Sequence, residues 1–416
     1  MVSGVVHVIG AGLAGLAAAT RLAAEGRRVV MHEAARMAGG RCRSYYDGQL
    51  GLTIDNGNHL LLACNHAAIS YLARIGSKDA LAGPQDCAFD FVDLAQDEHW
   101  TLRPNAGRIP WWIFAASRRV PGTKAFDYLG GARLLTAPAN ATVADALQTQ
   151  GALWERMWRP VLVSALNTPL DVASARLAAA VVRESLGAGG AAARPRVPAH
   201  GLGPAFIDPA LAFLAARGAE VRFGARLRGL EFVNDRVAAL DFGEDTITLA
   251  DDDRVIFAAP AWSALELVPG LQAPTQHCAI FNAHFAVRPP TTMPLLTGVV
   301  GGMSEWVFAF PERLSVTISA ADAFIEMAPE DIGERIWREV ARIAGLDAGQ
   351  LPPMRIVKEK RATFAATPAQ DALRPQAQTR WRNLWLAGDW TQTGLPATIE
   401  GAIRSGERAA DLTLRP

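Results

Sequence analysis

The sequence predicts an α/β chain: a Rossmann-type nucleotide-binding domain, discontinuous along the sequence, with an α+β domain inserted into it. Three observations predict this. A strand–turn–helix–strand unit with three spaced glycines fills the first ~30 residues, as that fold requires. A second glycine-rich strand–loop–helix segment closes the chain. The long stretch between them mixes strand and helix patterns, and 416 residues at about 150 per domain fit two or three domains.

Val5–Ile9 is a short apolar run ending at Gly10, the pattern of a parallel strand buried on both faces. Leu13–Glu25 is rich in Ala and Leu and stops at Gly26, a helix with a glycine cap. Arg28–His32 is the next strand. Val5–Ala24 is apolar enough to mimic a membrane span or signal segment, but it holds His7, Arg21 and the spaced glycines, with no basic stretch before it. The middle of the chain predicts helices at Trp111–Ala116, Val143–Leu147, Trp154–Leu166 and Ala173–Leu186, then a Gly/Ala/Pro-rich connector at Gly187–Pro198. A helix at Pro209–Arg217 leads to strands Glu220–Phe223, Arg226–Val233, Arg236–Phe242 and Val255–Ala258. Further strands follow at Ala279–Val287, Trp306–Phe310 and Leu314–Ser319, with a helix at Pro329–Ala344. Strand Leu384–Ala387 and helix Thr398–Leu412 end the chain. Linked motifs at both ends place the nucleotide-binding domain at 1–75, 200–260 and 375–416, and the substrate domain at 76–199 and 261–374.

Composition excludes several functions. Half the residues are hydrophobic and 20% are charged, so the chain folds around a large core. Forty-one basic residues balance forty-one acidic ones. No global field favours nucleic acid, and any membrane contact must be local and apolar. Cys42, Cys64, Cys87 and Cys278 form no C-x-x-C pair, so neither a disulfide framework nor a metal site is expected, and a reduced, cytoplasmic setting fits.

The first motif is Gly10-Ala11-Gly12-Leu13-Ala14-Gly15. Gly10 permits a tight turn, Gly12 lets backbone N–H groups approach a pyrophosphate, and Gly15 lets the helix pack close to the strand. Leu13 and Ala14 open the helix whose N-terminus faces the phosphates. Glu33 ends the second strand, where a carboxylate accepts from ribose hydroxyls. Glu33-Ala34 leads to Arg36, then Gly39-Gly40-Arg41. The two arginines can neutralise a diphosphate, and the double glycine admits backbone close to a flavin. At the other end, Leu386-Ala387-Gly388-Asp389-Trp390 precedes Ala397-Thr398-Ile399-Glu400-Gly401-Ala402. Asp389 can hold a ribityl chain, and a helix start at Thr398–Ala402 offers N–H groups and positive potential to a flavin's pyrimidine end.

The E-A-x-x-x-x-G-G-R stretch resembles the signature of the amine oxidase and phytoene desaturase superfamily of flavoproteins. That likeness implies FAD, closed in by the C-terminal motif, with adenine held by main-chain groups at Leu227. Asp55-Asn56-Gly57-Asn58-His59-Leu60, Trp158-Arg159-Pro160 through Leu166-Asn167-Thr168-Pro169, Lys360–Phe364 and the G-D-W-T-x-T-G-L-P-A-T-I-E-G-A ending narrow it. Together they resemble the squalene-associated, desaturase-like group of hopanoid biosynthesis, the hydroxysqualene dehydroxylases, over nearly the whole chain. The resemblance implies an FAD-dependent oxidoreductase that reductively removes the hydroxyl of hydroxysqualene, a C30 isoprenoid, to give squalene.

Such a reaction needs a proton for the leaving hydroxyl, a hydride from reduced flavin, and an apolar tunnel. His59 is the first choice of proton donor. Asp55 is the second, if burial raises its pKa, and Asn167 and Thr168 are placed to orient the hydroxyl. The plain alternative stays open: Asp55 holding loop backbone and His59 a satisfied core residue. Trp111, Trp112, Ile113, Phe114, Trp154, Trp158, Phe281 and Phe285 can line the tunnel or simply fill the core.

A flavin amine oxidase is the rival within the superfamily. The only lysines are Lys78, Lys124, Lys358 and Lys360, none of them on the strand Ala279–Val287. Polyprenoid or carotenoid desaturation and a non-catalytic flavin-bound lipid carrier remain as alternatives. Gly201-Leu202-Gly203 is followed by Phe206 where a second dinucleotide fingerprint needs glycine. Electrons are therefore expected from an external donor, NAD(P)H or a redox protein. A hydrocarbon substrate implies peripheral attachment to the inner face of the cell membrane. Arg108–Phe114 with Arg118 and Arg119 is the patch for it, unless that stretch packs inside as tunnel wall.

Overall fold

The computed structural model describes residues 4–415; residues 1–3 and 416, the outer ends of the expected terminal segments, lie outside the described residues. The short strands expected near both chain ends and in the middle of the chain assemble into one parallel sheet. Its order is Glu220–Phe223, Val29–Glu33, Val6–Ile9, Arg254–Phe257, Leu384–Leu386, so three distant parts of the chain share it. On it pack the first helix, Leu13–Ala24, and the C-terminal helix, Ile399–Leu414. Their closeness depends on missing side chains. A Cβ at Gly406 would sit 2.0 Å from the Ala14 carbonyl oxygen, and one at Gly15 would sit 1.9 Å from that of Gly10.

A second sheet of seven strands runs in the order Met354–Phe364, His277–Phe285, Arg313–Ile318, Trp306–Phe310, Leu296–Val300, Phe89–Asp93, Glu98–Leu102. Alternation divides its side chains between two cores. Phe91, Trp306, Phe308 and Phe310 join Trp154, Trp158, Leu162 and Leu166 on one face. Val307, Val316 and Ile318 meet Ile332, Ile336, Trp337 and Val340 of helix Pro329–Ala344 on the other. Phe281 and Phe285, read as tunnel wall, fall in this second core.

Several expectations shift. The strand expected at Arg226–Val233 begins only at Gly229. The connector contains a short helix, Gly190–Ala193, and a strand, Pro195–Pro198, that pairs with Leu61–Leu62 and Leu81–Ala82. Helix Trp154–Leu166 opens with a wide π turn over Trp154–Trp158, just ahead of Pro160, a residue with no N–H to give the ladder. The stretch read as helix Trp111–Ala116 is two 3₁₀ turns, Trp111–Phe114 and Ala116–Arg118. Gly201-Leu202-Gly203 serves packing: the N–H groups of Leu202 and Gly203 donate to Asp55 and Ser44.

Two histidines sit inside the parallel sheet. His7 Nδ1 and His32 Nε2 are 3.1 Å apart, and Phe242 stacks on the His32 ring at 4.6 Å. Burial lowers the pKa of His7 and pushes those of His32 and His284 down to about 3. Folded pKa values lie below the unfolded 6.5, so the unfolded chain takes up protons that the folded chain refuses. Stability is therefore full above pH 6.5 and declines as pH falls through the window from 6.5 to 3. His32 and His284 each contribute a slope of about 1.4 kcal/mol per pH unit there, and His7 adds in the same direction. The denaturant midpoint should drop steadily from pH 7 to pH 4; a flat profile contradicts the assignment.

Candidate active site

The turn after the first strand forms as the glycine spacing requires. Gly10 has φ +102°, and Gly12 caps the first helix with no side-chain bond to its N-terminal N–H groups. Those of Leu13 and Ala14, which lack intrahelical partners, are left for a ligand. A Cβ on Gly12 would meet nothing within 4 Å, so open space lies over it. Beneath, Glu33 accepts from the N–H of Ala11 at 2.7 Å and of Ala35 at 2.8 Å. Ala34 and Arg36 are exposed beside it, and Gly39 is clamped by a bond from its N–H to the Ala11 carbonyl.

The two chain ends meet at one ion pair. Arg41 Nη2 donates to Asp389 Oδ1 at 2.7 Å, and its Nη1 donates to the Ala362 carbonyl. Asp389 is buried, whereas Arg41 keeps 42% of its side chain accessible although protein surrounds it closely. Gly40, next to it, has φ +54° and stands against Gly12. Thr398 caps the C-terminal helix by accepting from Gly401 N–H, which leaves the N–H groups of Ile399 and Glu400 unpaired within the helix. Gly388 N–H donates to Ser405, and half-buried Ala397 and Ala402 line the approach. Leu227 is buried against Ile9 and Phe257, between the parallel sheet and the strand Gly229–Val233.

These residues fit FAD: an open cradle over Gly12, two helix N-termini, a carboxylate at the end of the second strand, and the Arg41–Asp389 pair that joins the two chain ends. Sequence reasoning missed the residue that shapes the flavin loop. Arg374 is wholly buried and donates to the carbonyls of Asp389, Thr391 and Leu395, to Thr393 Oγ1, and to Asp371 Oδ1. Asp371 is held in turn by Arg176. No motif marks an arginine whose partners are backbone carbonyls fifteen to twenty-one residues away.

The residues chosen for chemistry divide. Asp55 is 2% exposed; one oxygen accepts from Ser44 Oγ and Leu202 N–H, and the other pairs with Arg313. Its oxygens are engaged in holding structure, which speaks against Asp55 as the acid. Asn167, at φ +47°, donates to Thr363 and the Cys278 carbonyl and accepts from Ala320 N–H. Thr168 donates to the Leu166 carbonyl and accepts from Ala366 N–H. Both join the helix end to the second sheet rather than offering free groups. His59 differs: it is enclosed but partly accessible, and burial together with the Arg41 charge pushes its pKa down to about 4. It is a neutral imidazole that can orient a hydroxyl. An unforeseen acid lies at Glu305, one residue before the strand carrying Trp306. Its Oε2 accepts from Ser319 N–H at 2.7 Å, and burial pushes its carboxyl up to about 7. Its sequence neighbourhood, Gly-Gly-Met-Ser-Glu, reads as a plain loop.

The aromatic run also divides. Trp112 and Ile113 are buried in the substrate-side core, whereas Trp111 and Phe114 are exposed.

Residues 13–414 match the family model described as flavin containing amine oxidoreductase. The chain is 55% identical over 410 residues to a hydroxysqualene dehydroxylase of Rhodopseudomonas palustris, covering 98% of each. It is 48% identical to one of Zymomonas mobilis, covering 99% of each. Among solved structures, a putative protoporphyrinogen oxidase of Exiguobacterium shares the fold with a TM-score of 0.70 at 16% identity, over 98% of both chains.

Proposed function

Since the chain belongs to the flavin-containing amine oxidoreductase family, in the group its hydroxysqualene dehydroxylase relatives form, we propose that it reductively removes the hydroxyl of hydroxysqualene to give squalene and water. It is an FAD-dependent oxidoreductase. The observation that carries the substrate is the likeness along almost the whole length of those relatives.

In this reading residues 1–75, 200–260 and 375–416 hold the cofactor and the inserted segments shape the substrate's tunnel. Gly12, Leu13 and Ala14 receive the pyrophosphate, Glu33 the ribose, Asp389 the ribityl chain and Leu227 the adenine, while the start of the C-terminal helix faces the flavin ring. When bound and reduced, FAD supplies the hydride that replaces the hydroxyl on the allylic carbon. The C–O bond breaks, a C–H bond forms, and water leaves with one added proton. His59, neutral, orients the hydroxyl. In this reading Glu305, whose carboxyl pKa is raised by burial, is assigned the delivery of that proton, and Asn167 and Thr168 tie the helix end to the second sheet. Electrons reach the flavin from an external donor, a nicotinamide or a redox protein. No helix among the described residues is long and apolar enough to cross a membrane, and attachment is peripheral, at the inner face.

The product tests this. Protein reduced in D₂O and given hydroxysqualene without oxygen should yield squalene carrying one deuterium at the former carbinol carbon. A polyprene that has lost hydrogen, or an oxidised amine, overturns the reading.

A further inference from the structure

Six of the large hydrophobic side chains left in solvent come from one short stretch: Ile109, Trp111, Phe114, Phe126, Leu129 and Leu135. Their placement follows from helix geometry. In a 3₁₀ turn residues three apart share a face. Trp111 and Phe114 are such a pair in the turn Trp111–Phe114, and Phe126 and Leu129 are another in Ala125–Gly131. The inner sides are packed: Trp112 meets Tyr128 edge-on at 5.1 Å, and Ile113 and Leu134 are buried. The turns are pinned together rather than loose. Arg119 donates to the carbonyls of Ile113 and Thr123, Val120 N–H donates to the Tyr128 hydroxyl, and Asn105 donates to the Ile109 carbonyl. Ile109, Phe114 and Phe126 nonetheless stay 79%, 70% and 77% exposed. A rigid array of this kind marks an interaction surface.

Charge selects the partner. Residues 103–135 hold Arg103, Arg108, Arg118, Arg119, Lys124 and Arg133 against Asp127 alone, in a chain whose charges balance as a whole. Asp127 accepts from Lys124 N–H, and Arg118 lies over the Trp111 ring at 4.8 Å. Apolar tips with an aromatic ring and a basic collar match the hydrocarbon boundary and headgroup layer of an anionic bilayer.

We propose that this face, Ile109, Trp111, Phe114, Phe126, Leu129 and Leu135 within their basic collar, docks the protein on an anionic membrane surface and brings the substrate domain to its lipid-borne substrate. The proposal rests on the hydroxysqualene reading for its purpose but not for its test. The FAD-loaded full chain is sedimented with vesicles of phosphatidylcholine alone and with added phosphatidylglycerol. Wild type should sediment with the anionic vesicles and be released by salt. Phe114→Ser with Phe126→Ser and Leu129→Ser should lower partitioning at least tenfold, while bound FAD and turnover of detergent-dispersed substrate stay at wild-type levels and turnover of vesicle-borne substrate falls. Sedimentation of the variant equal to wild type overturns the proposal. So does a wild type that ignores vesicles and runs as a dimer that the variant splits, which makes the face a protein interface. If vesicles bind and no substrate turns over, the docking face stands and the functional reading fails.

Discussion

Arg374→Met is expected to yield colourless protein that unfolds at markedly lower denaturant. The guanidinium is fully buried and gathers the carbonyls of Asp389, Thr391 and Leu395 into one loop. Met fills similar volume but takes the Arg374 donors away from those carbonyls, leaving Leu395 only Thr393 Oγ1, and leaves Asp371 without one of its two arginines. Removing one member of a buried pair costs about 3–5 kcal/mol, and the freed loop no longer presents Asp389 to the cofactor. Arg374→Lys, with fewer donors on a flexible stem, should recover part of the stability and less of the flavin. Full flavin content in Arg374→Met would remove this residue from the account.

A pair of glycine substitutions should separate fold from cofactor. Gly406→Val places branched carbon where even a Cβ would stand 2.0 Å from the Ala14 carbonyl oxygen and 3.1 Å from Ala17. The two helices, whose N-termini the proposed reading assigns to the cofactor, must then move apart. The expected result is insoluble or grossly destabilised protein without flavin, an overpacking effect at the severe end of its range. Gly12→Val meets no protein atom within 4 Å of its Cβ and should fold with a near wild-type denaturation midpoint. It fills the space that the proposed reading assigns to the pyrophosphate, so retention of FAD should fall at least a hundredfold. Equal flavin content in Gly12→Val and wild type would place the phosphates elsewhere.

Sequence made the cofactor half legible because its requirements fall on backbone. A strand, a glycine turn and a helix start leave few substitutes at Gly10, Gly12 and Gly15, and the ending from Gly388 to Ala402 is bound as tightly. The inner parallel strands were legible from mostly apolar runs, whereas the edge strand Glu220–Phe223 carries two charges and is largely exposed. The strand Met354–Phe364 was not, since its Arg, Lys and Glu residues interrupt any alternation and several face solvent at the sheet edge. Asp55 and Asn167 looked like chemistry because a polar residue beside a flavin motif has the same spelling whether it meets substrate or pins a loop. Only the positions of Arg313, Leu202 and Thr363, all far away in sequence, tell the two apart. Glu305 and Arg374 had no local signal, since burial by distant segments gives each its character. The split of Trp111–Phe114 into two buried and two exposed residues required knowing that the turn is 3₁₀.

Removal of the hydroxyl of hydroxysqualene by reduced FAD in this chain can be followed in a single turnover. The purified holoprotein is reduced without oxygen, mixed with hydroxysqualene, and followed by absorbance near ~450 nm while squalene is measured. The account predicts that the oxidised flavin band returns in step with squalene, about one molecule per flavin, as expected for a two-electron cofactor. A band that stays bleached while hydroxysqualene persists, or that returns without squalene, would contradict it.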